Sequence, residues 1–292
     1  MENQQKTGAF KFRGASYKLM RLTEEELACG VITASAGNHA QGLALAAHKL
    51  GVKATIYMAE ATPEAKVEAT RGYGAQVVLT GESFQEAYEA ALEHQKKCGA
   101  TFVHPFDDYD IMAGQGTIAL EMLEQESRID TIIVPIGGGG LISGIAVAAK
   151  SVNPDIKVIG VQAASAAAMY TAYHKGVVEK LDKVSTIAEG IAVKQPGEKT
   201  VPLIRHYVDD VITVSEAEIA NAMVTMLQRG KTLVEGAGAA ALAGLLSHND
   251  QIDSRHCGVI VSGGNFDIGK IGDVQSLANQ LKPERSRNTV VL

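Results

Sequence analysis

Tryptophan is absent, and aromatic residues make up only 5% of the chain. Binders of oligosaccharides or single-stranded nucleic acid need stacking platforms, so both classes are disfavoured. Positive charge is not in excess either: 27 Lys and Arg stand against 33 Asp and Glu, a net charge of -6. Nothing electrostatic therefore draws the chain to nucleic acid or to an anionic membrane. Cysteine is sparse, and Cys29, Cys98 and Cys257 are an odd set at wide spacing. They make neither a disulfide framework nor a paired metal motif, and they point to reduced thiols in a cytoplasm. The opening residues contain no basic segment followed by an apolar one, so no secretory signal is expected. Long apolar runs are missing except at 131–149, where a proline and four consecutive glycines would break a lipid-exposed helix. That stretch reads as a buried strand, a turn and a buried helix.

Glycine, by contrast, is abundant at 30 residues, in a chain that is 46% hydrophobic and 21% charged. Such a composition is ordinary for a globular protein, and 292 residues suit two domains or one large α/β unit. Short β-branched runs occur at 31–34, 54–58, 76–79, 101–103, 131–136, 156–161, 211–214 and 258–261. Helical patterns separate most of them. Ser83 with Glu86, and Ser215 with Glu218, have the spacing of capping boxes, and Phe84, Tyr88, Ala91 and Leu92 share one helical face. Thr62 and Pro63 read as the cap and first residue of another helix. Strands alternating with helices predict mainly parallel sheets covered on both faces, and eight strands predict two α/β lobes. Residues 282–292 are polar and read as a loose tail.

Ligands of such folds sit at the carboxyl ends of strands, and four loops there carry chemistry. Gly137, Gly138, Gly139 and Gly140 lie between an apolar strand and a helix, so backbone N–H groups can approach an anion without a Cβ in the way. Neither nucleotide fingerprint fits: Leu141-Ile142 replaces the Lys-Ser/Thr of a P-loop, the glycine spacing is one residue too long for a dinucleotide turn, and Gln162 stands where the ribose acid belongs. Lys11 lies between Phe10 and Phe12 with glycines on both sides. Partial desolvation would lower its pKa from about 10.4 and favour a nucleophilic amine, although a snorkelling lysine at a helix start reads equally well. Ser35, Ala36, Gly37, Asn38 and His39 open a helix whose N–H groups can bind a carboxylate. Ser262-Gly263-Gly264-Asn265 offers a neutral hydroxyl suited to a pyridine nitrogen.

In this order the motifs resemble the threonine and serine dehydratases of the fold type II pyridoxal-phosphate family, whose type member is the tryptophan synthase β chain. The resemblance extends through Ala113 to Thr117, Glu189-Gly190 and Glu235 to Ala239, and so spans nearly the whole chain. It implies a two-lobed, parallel-sheet α/β fold, with 1–29 and 108–292 as a large cofactor domain and 30–107 as a small domain. It implies pyridoxal 5'-phosphate as cofactor, bound as a Schiff base to Lys11 and backed by Phe10. Asn38 matches the partner of the ring hydroxyl, Gly137 to Gly140 with Leu141 the phosphate loop, and Ser262 the partner of the pyridine nitrogen. The loop Ser35, Ala36, Gly37, Asn38 and His39 matches the grip on the substrate carboxylate, and Glu235 reads as a supporting or a capping residue.

Relatives carry further chain, including a strand, before the lysine motif, so an N-terminal part of the large domain is expected to be missing, which leaves activity in question. No regulatory domain is expected in the residues after Asn265. Some relatives bind a divalent cation through an acid where Gln162 stands, and no metal site is expected here. Serine racemases of the family place a serine at Ala36, and alanine cannot deliver a proton. The expected activity is deamination of L-threonine, and of L-serine, to a 2-oxo acid and ammonia by a cytoplasmic homo-oligomer, dimer or tetramer. A serine racemase or other β-eliminase, and a catalytically impaired binding homologue, stay open as alternatives.

Overall fold

The computed structural model describes residues 1–281; the expected tail lies outside the described residues. The chain opens with α1 (Lys11–Arg21) and α2 (Glu24–Cys29), then runs β1 (Val31–Ala34), α3 (Asn38–Leu50), β2 (Ala54–Met58), α4 (Glu64–Gly72), β3 (Gln76–Leu79), α5 (Phe84–Cys98) and β4 (Thr101–Phe102). After α6 (Tyr109–Gln125) the alternation repeats as β5 (Thr131–Pro135), α7 (Gly140–Val152), β6 (Lys157–Ala163), α8 (Ala168–Lys175), α9 (Thr200–Tyr207), β7 (Asp210–Val214), α10 (Glu216–Gln228), α11 (Gly236–Ser247), β8 (Cys257–Val259) and α12 (Ile271–Ala278).

Two four-stranded sheets result, in the orders β3-β2-β1-β4 and β7-β6-β5-β8. Every strand pair in both is parallel. Each sheet runs outward for three strands and places its fourth on the other side of the first. The direction of winding therefore reverses between β1 and β4, and again between β5 and β8. A crevice opens at the carboxyl end of such a reversal because the flanking helices pass to opposite faces. The loops after β1, β4, β5 and β8 are the ones that line it.

β5 and β6 are almost wholly buried and apolar, as a parallel strand covered on both faces must be. Ile132, Val134, Ile142 and Ile145 pack between the second sheet and α7, while Ile133, Val161 and the alanines of α11 fill its other face. In the first sheet Ile56, Leu43 and Leu19 form one core, and Ile32 with Ala87 and Ala91 of α5 forms the other. Among the described residues no helix is long and apolar enough to cross a membrane.

Glycine brings four helices into main-chain contact. A Cβ on Gly42 of α3 would stand 2.9 Å from the carbonyl carbon of Lys11, and one on Gly114 of α6 would stand 2.6 Å from the Cα of Gly14. One on Gly116 would meet the carbonyl oxygen of Gly144 in α7 at 2.7 Å. A continuous belt, α3–α1–α6–α7, is thus packed backbone to backbone.

Local signals hold with corrections. Ser215 and Glu218 make both bonds of a capping box. Ser83 Oγ accepts from the Glu86 N–H, but the Glu86 carboxylate accepts from the Glu82 N–H and the Ser83 hydroxyl, not from the Ser83 N–H that a full box needs. On α5 the buried residues are Ala87 and Ala91, while Phe84 is exposed and leans on Tyr88. Pro63 is not the first helical residue: its ψ of 133 is extended, so it takes the cap position itself and α4 starts at Glu64. Strands expected at 101–103, 131–136 and 258–261 end one or two residues early, because the chain there turns into the site loops.

Candidate active site

The segment around Lys11 is pinned before it becomes a helix. Gly8 has a φ of +72, and a Cβ there would lie 2.5 Å from Asn265 Oδ1, so both conformation and space require glycine. The Gly264 N–H donates to Gly8 O at 2.8 Å, the Phe10 N–H donates to Ser262 O at 3.1 Å, and Ala9 bridges Gly263. Residues 8–10 therefore lie against the loop after β8. Phe10 packs on the core of the second sheet and Phe12 on that of the first, which leaves Lys11 at the seam between the lobes.

Lys11 Nζ donates to Pro105 O at 2.7 Å and lies 5.2 Å from the Phe10 ring centroid. Burial lowers its pKa from 10.5 to about 8, against the opposing pull of the Glu235 carboxylate. The snorkelling reading does not hold: the amine is carried inward.

Asn38 is held at both ends of its amide. Its Nδ2 donates to Glu235 Oε1 at 2.7 Å, and its Oδ1 accepts from Asn265 Nδ2 at 2.8 Å. Glu235 occupies the cap position of α11 yet makes no side-chain cap bond, so its carboxylate serves Asn38 and not the helix. Burial pushes the Glu235 pKa up to about 7, opposed by the Asn38 hydrogen bond. In the loop before α3, Gly37 N donates to Ser35 Oγ at 3.3 Å, while among the described residues no acceptor receives the N–H of Ala36, Asn38, His39 or Ala40. His39 is buried with Nε2 3.0 Å from Val103 O, and burial lowers its pKa to about 3. Its ring is a neutral packing group; only its main chain faces the loop.

The glycine loop has the same character on a larger scale. Ile136 N donates to Val161 O and Ser143 N to Gly139 O, but the six N–H groups from Gly137 to Ile142 donate to no protein atom among the described residues. All but Gly137 are buried. Buried donors are seldom left without an acceptor, so this row at the N-terminus of α7 can hold an anion. Gly139, with a φ of +100, turns the chain, and Thr200 Oγ1 braces the loop by donating to Gly138 O at 2.7 Å. Ser262 Oγ is buried and donates to Ala237 O at 3.2 Å.

One segment escaped the sequence reading. His104 to Asp107, after β4, joins the lysine to the glycine loop. Pro105 accepts from Lys11, and the carbonyl of Phe106 would stand 2.7 Å from a Cβ on Gly140. His104 Nδ1 accepts from Asp107 N at 2.8 Å, and the Asp107 carboxylate accepts from Lys199 N at 2.9 Å. Only Asp108, the side-chain cap of α6, had a legible signal. Gln162 is buried and accepts from Tyr170 N at 2.7 Å, bracing α8. No group of three or more His, Cys, Asp or Glu among the described residues is arranged to hold a metal ion.

Comparison with known proteins agrees with this geometry. The family model for pyridoxal-phosphate dependent enzymes matches residues 1–263. An L-threonine ammonia-lyase of Thermotoga maritima is 50% identical over 271 residues, covering 93% of this chain and 67% of that protein. The processed form of threonine deaminase isoform 2 from Solanum lycopersicum superposes with a TM-score of 0.93 at 40% identity, covering 96% of this chain and 78% of that one. Maize serine racemase superposes at 0.90 with 38% identity, covering 96% and 86%. A match over nine-tenths of the chain, on a fold whose four site loops converge as described, leads to one conclusion: this chain belongs to the family of pyridoxal-phosphate-dependent enzymes.

Proposed function

We propose that the chain deaminates L-threonine, and L-serine with it, to a 2-oxo acid and ammonia. The observation that carries this reading is Lys11: a buried amine with a lowered pKa, at the seam where all four site loops meet. The residues fit pyridoxal phosphate. The unpartnered N–H row from Gly137 through Gly140 and Leu141 would hold its phosphate, Asn38 its ring hydroxyl and Ser262 Oγ its ring nitrogen, with Phe10 behind the lysine. When bound, the cofactor supplies a sink for the electron pair left on Cα.

The chain supplies the rest. The free N–H groups of Ala36, Asn38 and His39, at the positive end of α3 after Ser35 and Gly37, hold the substrate carboxylate. Lys11 Nζ takes the Cα proton; burial lowers its pKa to about 8, so a minority of the amine is neutral at pH 7 and the fraction grows as pH rises. Glu235 and Asn265 fix the amide of Asn38, so its orientation is settled before the ligand arrives. Ala36 has no proton to deliver to the opposite face of Cα, which favours elimination over racemisation.

We further propose that residues 30–107 act as a small lobe against 1–29 and 108–292. The exposed Met20, Leu120 and Val152, on three neighbouring helices, offer apolar surface for a homo-oligomer. Exposed thiols at Cys29 and Cys98 suit a reducing cytoplasm.

The test is to load the purified protein with pyridoxal phosphate, reduce it with borohydride and map the modified peptide. Pyridoxyl-Lys11, with 2-oxo acid released from L-threonine before reduction, supports the reading. Attachment at another lysine would refute the assignment of Lys11, and D-serine formed from L-serine in place of oxo acid would favour a racemase.

A further inference from the structure

Two of the three cysteines, separated by most of the first lobe in sequence, meet in the fold. Cys29 is the last residue of α2 and Cys98 the last of α5. Each is followed by a glycine of positive φ, Gly30 at +82 and Gly99 at +71, which turns the chain from helix into strand. The strands entered this way, β1 and β4, are neighbours. Val31 pairs with Thr101, and Thr101 N donates to Gly30 O at 3.0 Å. The two helices therefore end side by side at the amino ends of this strand pair, with Cys29 beside Gly99, the residue that follows Cys98. The side chain points the right way: Cys29 Sγ stands 3.9 Å from where a Cβ on Gly99 would be. Cys29 and Cys98 line one small cleft of about 50 Å³, with His94 and Lys53, and both are exposed.

We propose that Cys29 and Cys98 are a vicinal dithiol in space, which a low-molecular-weight disulfide oxidises to an intrachain bridge. The geometric requirement is a Cα separation of about 4.4–6.8 Å, and the approach of Cys29 Sγ to the residue next to Cys98, in a cleft both thiols line, is what brings the pair toward it. One thiolate attacks the small disulfide, forming a mixed disulfide and releasing one small thiol. The second protein thiolate then attacks the protein sulfur of that mixed disulfide and releases the other. Two protein thiols are oxidised, one small disulfide is reduced to two thiols, and the two protons end on those thiols. The bridge closes residues 29–98 into a covalent ring containing β1, β2, β3 and the helices between them. It lies at the amino ends of the strands, opposite the site loops, so it staples the small lobe without touching Lys11. Cys257, half-buried and pushed up to about 11 by burial and by Asp130, is a built-in control.

The experiment is to incubate the reduced protein with oxidised glutathione and count thiols after denaturation. The expected count falls from three to one, the mass falls by two hydrogens, and the peptide map links 29 to 98. The Cys29→Ser and Cys98→Ser variants should each stop at one glutathionyl adduct, while Cys257→Ser still forms the bridge. The bridged wild type should melt several degrees above the reduced form, with unchanged deaminase activity. Separate glutathionyl groups on Cys29 and Cys98, a bridge between two chains, or no reaction at either cysteine would overturn the proposal. The thiol count, mass and peptide map are read without substrate or cofactor, so they decide the bridge independently of the assigned reaction; only the activity comparison rests on that reading.

Discussion

At the scale of single residues, the buried amine of Lys11 and the buried carboxylate of Glu235 pull stability in opposite directions as pH changes. Lys11 has a folded pKa of about 8, below its ordinary 10.5, so its contribution is complete above 10.5 and is lost as pH falls through 8. At pH 7 the amine must be charged inside the fold, at a cost of roughly 3 kcal/mol for a shift of this size. Cofactor-free Lys11→Met should therefore be inactive yet more resistant to urea at pH 7, with the advantage shrinking by pH 9.5. Glu235 is raised from 4.5 to about 7, so its contribution is complete below 4.5 and is lost as pH rises through 7. Glu235→Gln should flatten the stability curve between those values. Urea midpoints measured across pH 4.5 to 9.5 check both, and a curve unchanged in Glu235→Gln would contradict the burial argument. Lys11, Asn38 and Ser262, whose roles are proposals, could be singled out in the sequence because each is a side chain in a recognisable motif. Pro105 was not, since what it contributes is a carbonyl that every residue possesses. Glu235 was half legible: its place before α11 looks like a cap, and only the approach of Asn38 from a distant loop shows otherwise.

At the scale of elements, the belt of glycine crossings sets where Lys11 stands. A Cβ on Gly42 would lie 2.9 Å from both the Lys11 carbonyl carbon and the Phe12 nitrogen, and main chain cannot swing aside as a side chain does. Gly42→Val should cost about 1–3 kcal/mol, the usual range for overpacking, and displace α1. Its signature is slower pyridoxyl labelling of Lys11 together with a lower melting temperature; labelling at the wild-type rate would mean that α3 does not position α1. The strands were readable from their β-branched runs, and α10 from its capping box. The half-formed box at Ser83 and the cap at Pro63 were not, because the preceding backbone, invisible in the pattern of residue types, decides which N–H is free to be capped.

At the scale of the whole molecule, two sheets of the same winding order put four loops around one space. Each sheet contributes the loops at its own reversal of winding, and α1 crosses between their cores. The row of N–H groups from Gly137 to Ile142 has no acceptor among the described residues; if it holds the cofactor phosphate as proposed, binding should raise the melting temperature in proportion to ln(1 + [L]/Kd). A ten-fold excess over Kd corresponds to about 1.4 kcal/mol, and Gly138→Ala, which drives a methyl into the Phe106 ring, should abolish the rise. Calorimetry with and without pyridoxal phosphate measures it. The parallel two-lobed architecture was legible from the alternation of strands and helices. How the lobes face one another was not, because it depends on contacts such as those of Phe10 and Phe12 with separate cores.

The glycine belt also has a bearing on how such a protein can change over generations. The loop 35–39 opens α3, the lysine opens α1 and the glycine loop opens α7, and these helices are joined in the order α3–α1–α6–α7 by close main-chain approaches at glycines, to which side-chain pairs such as Arg13 with Glu121 add. Spacing recorded in main chain has no rotamers to drift through and no methylene to gain or lose. Mutations in the pocket can alter which side chain meets a ligand, while the spacing among Lys11, residues 35–39 and the glycine loop is held by close main-chain packing and is less open to change.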